Sequence, residues 1–385
     1  MEDLRTVLVV GVNTRPVVKS VRALGLRAVA VDRFRDLDLC SLAEAVLPPP
    51  PSLPHERLDW KGLCLRALEE HEVDAVLCTS GMEHQPELLK ELERRGLLVG
   101  NRWEQVRRAR RELFRTASRL GIPFPPTEEV RSPEEAEERA EELGYPVVLK
   151  PLSGGGGRGM TLARSDGEVE SGFRLASSSS GRALVQKYVP GRNASASLLC
   201  GRGEAVCLTV NEQLIGEAPL GAPGPFSYCG GVVPLGGGRE VEKVVECVEA
   251  LCSELGLVGS NGVDFVLREG EPWVVEVNPR FQGTLEQVEG VLGINLVEEH
   301  LRWCGGGGGE YGEAKGCSVK LVLYARKETT APDLRRFPGV VDLPWRGQRV
   351  GEGQPVCSVL EFAPTREEAL GRARRTASEV RRLLD

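Results

Sequence analysis

Residues 261–283, NGVDFVLREGEPWVVEVNPRFQG, constrain this chain more than any other stretch. GVDFVLR and PWVVEVN carry the Val and aromatic content of strands, and the Glu-Gly-Glu between them predicts a short hairpin turn. With the register centred on Gly270, Asp264 lies opposite Glu276. Alternation with period two then sets Glu276 and Asn278 on one face, and Asp264 joins them from across the ladder. Two carboxylates and an amide oxygen at one spot are hard ligands suited to Mg²⁺, which takes one or two protein carboxylates plus substrate phosphates. Arg280, two residues further on, brings a fixed cation to the same face if the strand continues. The alternative is a surface hairpin with a solvated polar face.

A second segment, PVVLKPLSGGGGRGMTL at 146–162, places Lys150 on an apolar strand ahead of a glycine run and a second short strand near Met160. Gly154, Gly156 and Gly159 satisfy G-x-G-x-x-G, but the dinucleotide fingerprint requires a helix after the glycines, and MTLAR does not start one. A Walker loop needs Gly-Lys-Ser/Thr, which is missing. A protein kinase sets its lysine after its glycine loop, and no H-R-D or D-F-G is present. What remains is a glycine flap between strands, whose bare backbone N–H groups can close over phosphates while Lys150 supplies a compact charge. A third segment, ALVQKYVPGRNASASLL at 183–199, reads as a strand running into a Pro190-Gly191 turn, with backbone groups at 186–189 free to meet an adenine edge.

The order lysine strand, glycine flap, Q-K-Y-V-P-G and D…E-x-N-x-R resembles the ATP-grasp superfamily over roughly residues 100–300. The resemblance implies ATP and Mg²⁺ as cofactors, with Mn²⁺ able to substitute. It implies that Lys150 contacts phosphate and that Ser153, Gly154, Gly155, Gly156, Gly157 and Gly159 form the flap. Gln186, Lys187 and Val189 would be the adenine hinge. Asn193 falls where an acidic ribose ligand is common, Asp264, Glu276 and Asn278 fall on the metal ligands, and Arg280 falls on the arginine that steadies an acyl phosphate. Two positions depart from the pattern. A phosphate-binding lysine is expected about eleven residues before Gly121-Ile122-Pro123, where Arg110 stands among Arg107, Arg108 and Arg111. Asn193 replaces an acid.

The expected class is α/β, with α+β character in the catalytic part. Residues 1–100 would be an N-terminal Rossmann-like domain, 101–305 the ATP-grasp domain and 306–385 a small closing domain. TVLVVG, PVVKSVRALG and RAVAVD form a β-α-β unit, and Gly11–Thr14 and Thr79–Glu83 both follow strands at carboxyl ends, where open parallel sheets bind ligands. VRRARRELFRTASRLG and PEEAEERAEELG are expected helices, the proline run at 48–54 a loop, 217–235 a long loop and Gly305–Gly309 a linker. CSVKLVLYAR and VCSVLEFA are expected strands, followed by an amphipathic helix.

A formal charge of −7 disfavours general nucleic-acid binding, and no apolar run reaches membrane-span length. The opening MEDLRTVLVVG enters a strand directly, against a signal peptide. Eleven cysteines without a C-x-x-C pair, mostly in apolar surroundings, read as free thiols of a cytoplasmic protein. His55, His71, His84 and His300 are too scattered for a zinc site.

The expected activity is an ATP-dependent ligase. It would phosphorylate a small carboxylate and pass the acyl group to an amine, without nucleic-acid or membrane partners and with a homodimer left open. Activation of bicarbonate, as in biotin-carboxylase-like and purine-pathway enzymes, is one alternative. A nucleotide-binding protein without turnover is the other.

Overall fold

The computed structural model describes residues 4–48 and 58–385, so most of the 48–54 proline run, and His55, lie outside it. The N-terminal unit comprises β1 (Thr6–Gly11), α1 (Arg15–Ala23), β2 (Arg27–Asp32), α2 (Leu37–Leu42), β3 (Ala45–Leu47), α3 (Trp60–Glu70), β4 (Ala75–Cys78) and α4 (Pro86–Arg94). Its strands form a parallel sheet in the order β3-β2-β1-β4. Every residue of β1 is buried, as expected of a parallel strand covered on both faces. Val7 and Val9 pack with Val17, Val18 and Val21 of α1, and Leu8 and Val10 with Cys64 of α3 and Leu88 of α4. The loops after β1 and β4 meet so closely that a side chain at Gly11, whose φ is +153°, would come 2.0 Å from Thr79 Oγ1.

The arginine-rich run forms two helices, α5 (Trp103–Arg111) and α6 (Leu113–Arg119), separated at Glu112. A small antiparallel sheet follows, built from β5 (Thr127–Val130), α7 (Pro133–Leu143), β6 (Val147–Pro151), β7 (Thr161–Ala163), α8 (Asp166–Ser177) and β8 (Ala183–Lys187), in the order β5-β8-β6-β7. Val147, Leu149, Val185 and Ala183 bury one face against α7 and α8. The other face carries Thr127, Val148, Lys150 and Gln186 by alternation.

The remaining chain contributes β9 (Arg192–Gly201), β10 (Glu204–Ile215), β11 (Tyr228–Val233), α9 (Arg239–Glu254), β12 (Gly259–Arg268), β13 (Glu271–Asn278), α10 (Leu285–Leu292), α11 (Leu296–Cys304), β14 (Cys317–Tyr324), β15 (Thr329–Thr330), β16 (Val340–Val341), β17 (Arg349–Val350), β18 (Pro355–Ala363) and α12 (Arg366–Leu384). Eight of these strands form one sheet, in the order β13-β12-β9-β10-β11-β14-β18-β16. Strands β15 and β17 form a separate two-stranded ribbon. The C-terminal strands therefore continue the sheet that carries the hairpin, joined through β11 to β14.

Strand β11 lies inside the 217–235 stretch expected as irregular loop. The reason is steric. A Cβ at Gly230 would sit 1.9 Å from the Lys320 carbonyl oxygen, and one at Gly231 2.6 Å from that of Glu212. Both positions must be glycine, and their presence erases the alternation by which a strand is recognised.

A buried ion network fastens the N-terminal unit to this sheet. Arg15 is only 2% exposed. It donates from Nε to Asp342 (2.7 Å) and from both terminal nitrogens to Glu286 on α10, with Asp38 at 3.4 Å. Lys320 of β14 completes the group 3.7 Å from Asp342. Nearby, His300 accepts from Ser260 N (2.8 Å) and contacts Val99 O (3.2 Å), holding α11 against β12 and the N-terminal unit.

Candidate active site

The hairpin has a two-residue turn at Glu269-Gly270, both with positive φ (+55° and +78°), the geometry that matches strand twist in tight hairpins. Arg268 pairs with Glu271, so that register alone would set Asp264 opposite Val275 and turn Glu276 toward the core. A bulge corrects it. The pairing shifts between Asp264 and Phe265, Val275 is left without an opposite residue, and Asp264 faces Glu276 as expected. Beneath it, Val263, Phe265 and Val274 anchor the hairpin in the core with α9.

Asn278 donates to Asp264 Oδ2 (3.0 Å), and Gln213 of β10 donates to Asp264 Oδ1 (2.9 Å). Burial holds Asp264 above its ordinary range, against the pull of Arg280 and these two donors. Glu276 opens onto the cleft. Desolvation by the surrounding protein, with the Asp264 carboxylate beside it, pushes its carboxyl up to about 7. Lys150 faces the pair from β6. Burial lowers its ammonium to about 8, with the two carboxylates resisting. Two carboxylates pressed together beside an amide suit a divalent cation, which would relieve their repulsion. Among the described residues no group of three His, Cys, Asp or Glu side chains could hold a metal, so substrate phosphate would have to complete the shell.

The strand does not continue to Arg280. It ends at Asn278, and a tight turn, with Arg280 N donating to Asn278 O (2.9 Å), carries the side chain back beside the triad. Its Nη2 donates to Asn278 Oδ1 (2.9 Å), Nη1 to Phe281 O (3.1 Å) and Nε to Glu83 Oε1 (3.0 Å). A guanidinium has five N–H groups, so after these three bonds two remain for a ligand. The contact from Nε to Glu83 is a salt bridge between two largely buried side chains. Burial is the largest single influence and raises the Glu83 carboxyl, but the Arg280 charge and hydrogen bond, with His84, together hold it below the usual range.

The flap glycines adopt conformations that side chains resist, with φ of +65° at Gly156, +77° at Gly157 and +74° at Gly159. Three of its carbonyls are held from outside. Leu152 O accepts from Arg110 Nη2 (2.9 Å), Gly154 O contacts His84 Nε2 (3.3 Å), and Gly156 O accepts from Tyr228 N (3.2 Å). Ser153 and Gly155 are exposed. Arg110 also donates to Glu83 O (3.3 Å), which places it at the flap root.

At the hinge, Gln186 is buried and donates to Thr127 Oγ1 (2.7 Å). The Lys187 ammonium braces Gly144 O (2.6 Å) and Tyr145 O, leaving its backbone as the group that can meet a ligand. Lys187 N donates to Pro126 O, but Pro126 has no N–H to return to the Lys187 carbonyl. A cavity of about 570 Å³ opens here, lined by Phe124, Pro126, Lys187, Tyr188, Val189 and Trp273 among others. Asn193 is exposed on β9, paired in register with Val266. Gln213, Glu83 and His84 are the site residues whose roles the sequence did not reveal. Glu83 was placed only in a strand-end loop.

The family model for the ATP-grasp domain matches residues 109–284. The chain carries an ATP-grasp domain. It is similar to an uncharacterized protein of Methanocaldococcus jannaschii (24% identical over 366 residues, 92% of this chain and 87% of that one). It is also similar to biotin carboxylase of Pseudomonas aeruginosa (27% over 316 residues, 75% and 67%). The biotin carboxylase domain of Hydrogenobacter thermophilus 2-oxoglutarate carboxylase, described as a dimer with MgADP, ADP and bicarbonate, shares the fold with a TM-score of 0.78 at 20% identity, over 97% of this chain and 89% of that one. The match gives residues 109–284 an ATP-grasp domain, a fold of ligases that work with ATP and Mg²⁺. Within the ATP-grasp domain lie Lys150, the flap, the hinge and the hairpin triad. The free state of all eleven cysteines accords with the expectation of free thiols. No helix among the described residues is long and apolar enough to cross a membrane.

Proposed function

We propose that this chain is an ATP- and Mg²⁺-dependent ligase that phosphorylates a small carboxylate and joins the acyl group to an amine, releasing ADP and phosphate. The observation that carries the reading is the cleft in which Asp264, Glu276 and Asn278 meet, faced by Lys150 and flanked by an Arg280 with two N–H groups to spare. In this reading Asp264, Glu276 and Asn278 would hold Mg²⁺, which would supply charge neutralisation at the transferring phosphoryl group. Lys150, Arg110 and the flap at 153–159 take phosphate oxygens. The purine lies at the hinge, against the Lys187 carbonyl and the Val189 N–H, beside a cavity of a size usual for such ligands. Asn193 is the ribose-side candidate. The protein needs no nucleophile of its own. It brings the carboxylate oxygen in line with the γ-phosphate and neutralises charge as the P–O bond forms and the ADP oxygen leaves. Arg280's planar fork then suits the acyl phosphate as the amine attacks its carbonyl carbon and phosphate departs.

The functional division into 1–100, 101–305 and 306–385 belongs to this proposal, with the last part completing the central sheet. A homodimer is part of it too, and sedimentation tests that. The likeness to biotin carboxylases favours one second reading, in which bicarbonate is the acid and a nitrogen receives the carboxyl group. Phosphate release that depends on bicarbonate supports it. Phosphate release that ignores bicarbonate but responds to an organic acid and an amine supports the first. The shared claim is tested by Glu276→Gln, which should keep nucleotide binding better than turnover. Wild-type rates at saturating Mg²⁺ would remove Glu276 from the chemistry.

A further inference from the structure

The short turn Met82–His84, which follows β4 in the N-terminal unit, touches three parts of the ATP cleft at once. Glu83 Oε1 accepts from Arg280 Nε at 3.0 Å across 197 residues of sequence. The Glu83 carbonyl accepts from Arg110 Nη1 at 3.3 Å, and the same arginine holds Leu152 O at the flap root. His84 Nε2 lies 3.3 Å from Gly154 O of the flap. Met82 is buried and pins the turn in the core beside Leu88 and Leu92. Gly81, at φ +94°, allows the chain to reverse there, and a side chain at that position would come 2.8 Å from Val12.

From this convergence we infer that Glu83 is a positioning residue of the ATP-grasp reaction, aiming the Arg280 guanidinium from a different structural unit. The inference rests on the ligase reading above. Glu83 occupies Nε, Asn278 and Phe281 each occupy one terminal nitrogen, and together they fix the plane of the fork and the direction of its two remaining N–H groups. Side chains held on all edges do not have to be reorganised when charge develops, which is the condition for strong electrostatic stabilisation. A role as base for the incoming amine does not fit. Oε1 is taken by Arg280, and Oε2 is fully shielded from solvent with no partner of its own. Because Arg110 and the flap root lean on the same turn, the N-terminal unit sets the phosphate-side and acyl-side arginines in one frame.

The test uses the full chain and slow phosphate release from Mg-ATP, with nucleotide Kd by calorimetry. Glu83→Ala should leave Kd within about threefold and lower kcat by roughly thirtyfold, less than the ~10²–10³ of a lost transition-state donor because the guanidinium itself remains. Glu83→Gln keeps an oxygen for the Nε–H and should lose no more than about fivefold. A Gln variant as inactive as the Ala variant would instead make Glu83 a proton carrier and overturn the inference. In an Arg280→Ala background, Glu83→Ala should have no further effect on kcat, because the residue acts through Arg280. Full additivity overturns the inference. Should Glu83→Ala fail to fold, the Gln variant decides alone, and a loss of roughly thirtyfold or more with a shifted pH profile would overturn positioning. A wild-type chain that neither binds nor hydrolyses Mg-ATP would sink the ligase reading itself, whereas a working wild type with an unaffected Glu83→Ala sinks only the inference.

Discussion

Gly157→Ala should weaken Mg-ATP binding by roughly thirtyfold while leaving the fold intact. Gly157 sits at φ +77°, and a Cβ there would lie 1.8 Å from the Phe226 carbonyl oxygen and 2.4 Å from its carbon. Both are backbone atoms, so no side-chain rotation relieves the overlap, and the flap must withdraw from the 226–228 segment. The left-handed conformation costs an alanine about 1 kcal/mol. Withdrawal also breaks the bond from Tyr228 N to Gly156 O, another ~1 kcal/mol. Together these penalise the closed flap by about 2 kcal/mol, which is roughly thirtyfold in an affinity that requires closure. Gly155 is the internal control. A Cβ at that position meets nothing within 4 Å. Calorimetric Kd for Mg-ATP should therefore be unchanged in Gly155→Ala, and thermal midpoints should agree among all three proteins. Equal affinities for the wild type and both variants would show that the flap does not close on nucleotide in the form described here.

Arg110→Ala should raise the KM for ATP about tenfold, or ~1.4 kcal/mol, the scale of one exposed charge-assisted contact. Unchanged ATP kinetics would move the phosphate contact to another residue. Arg15→Met should destabilise the chain by about 3–5 kcal/mol in urea unfolding, since it removes the main partner of the buried Asp342 and Glu286, leaving Lys320, Asn13, Ser358 and Lys19 near them. A loss under 1 kcal/mol would mean that the network is dispensable. Burial lowers His300 from 6.5 to about 4 in the folded chain. Its contribution is thus complete above pH 6.5 and is lost as pH falls toward 4, up to roughly 3 kcal/mol. His300→Gln should flatten the fall in urea midpoint between pH 6.5 and 4, and parallel curves for the two proteins would contradict this.

What was legible in the sequence was local. The pairing of Asp264 and Glu276 followed from period-two alternation and a centre at Gly270, and the structure reaches the same pairing by a different route, a two-residue turn plus a bulge at Val275. Nothing in WVVEV marks the bulged residue, because consecutive valines suit either register. The strand carrying Lys150, the glycine loop after it and the strand ending at Lys187 were legible because each pairs strand composition with glycine or proline punctuation. Strand β11 was hidden by Gly230 and Gly231, which close packing demands. Contacts across long separations could not be read at all. Glu83 reaches Arg280 across 197 positions and Gln213 reaches Asp264 across 51, and a single sequence carries no signal of such pairings. The Arg15 network was invisible for the same reason, and an arginine opening a helix usually reads as a solvated end.

The central claim is that the cleft transfers the γ-phosphate of ATP to a carboxylate. Hydroxylamine trapping tests it most directly. The chain is incubated with Mg-ATP, hydroxylamine and, in separate reactions, bicarbonate or members of a panel of amino and hydroxy acids, and hydroxamate and nucleotide products are measured together. The account predicts that at least one organic acid gives hydroxamate and ADP in equal amounts, at rates lowered by roughly a hundredfold in Arg280→Ala and in Glu276→Gln. For bicarbonate, whose acyl phosphate is short-lived, it predicts acid-dependent ADP. Formation of AMP and pyrophosphate, or ADP release that no acid stimulates and that survives both substitutions, would contradict it.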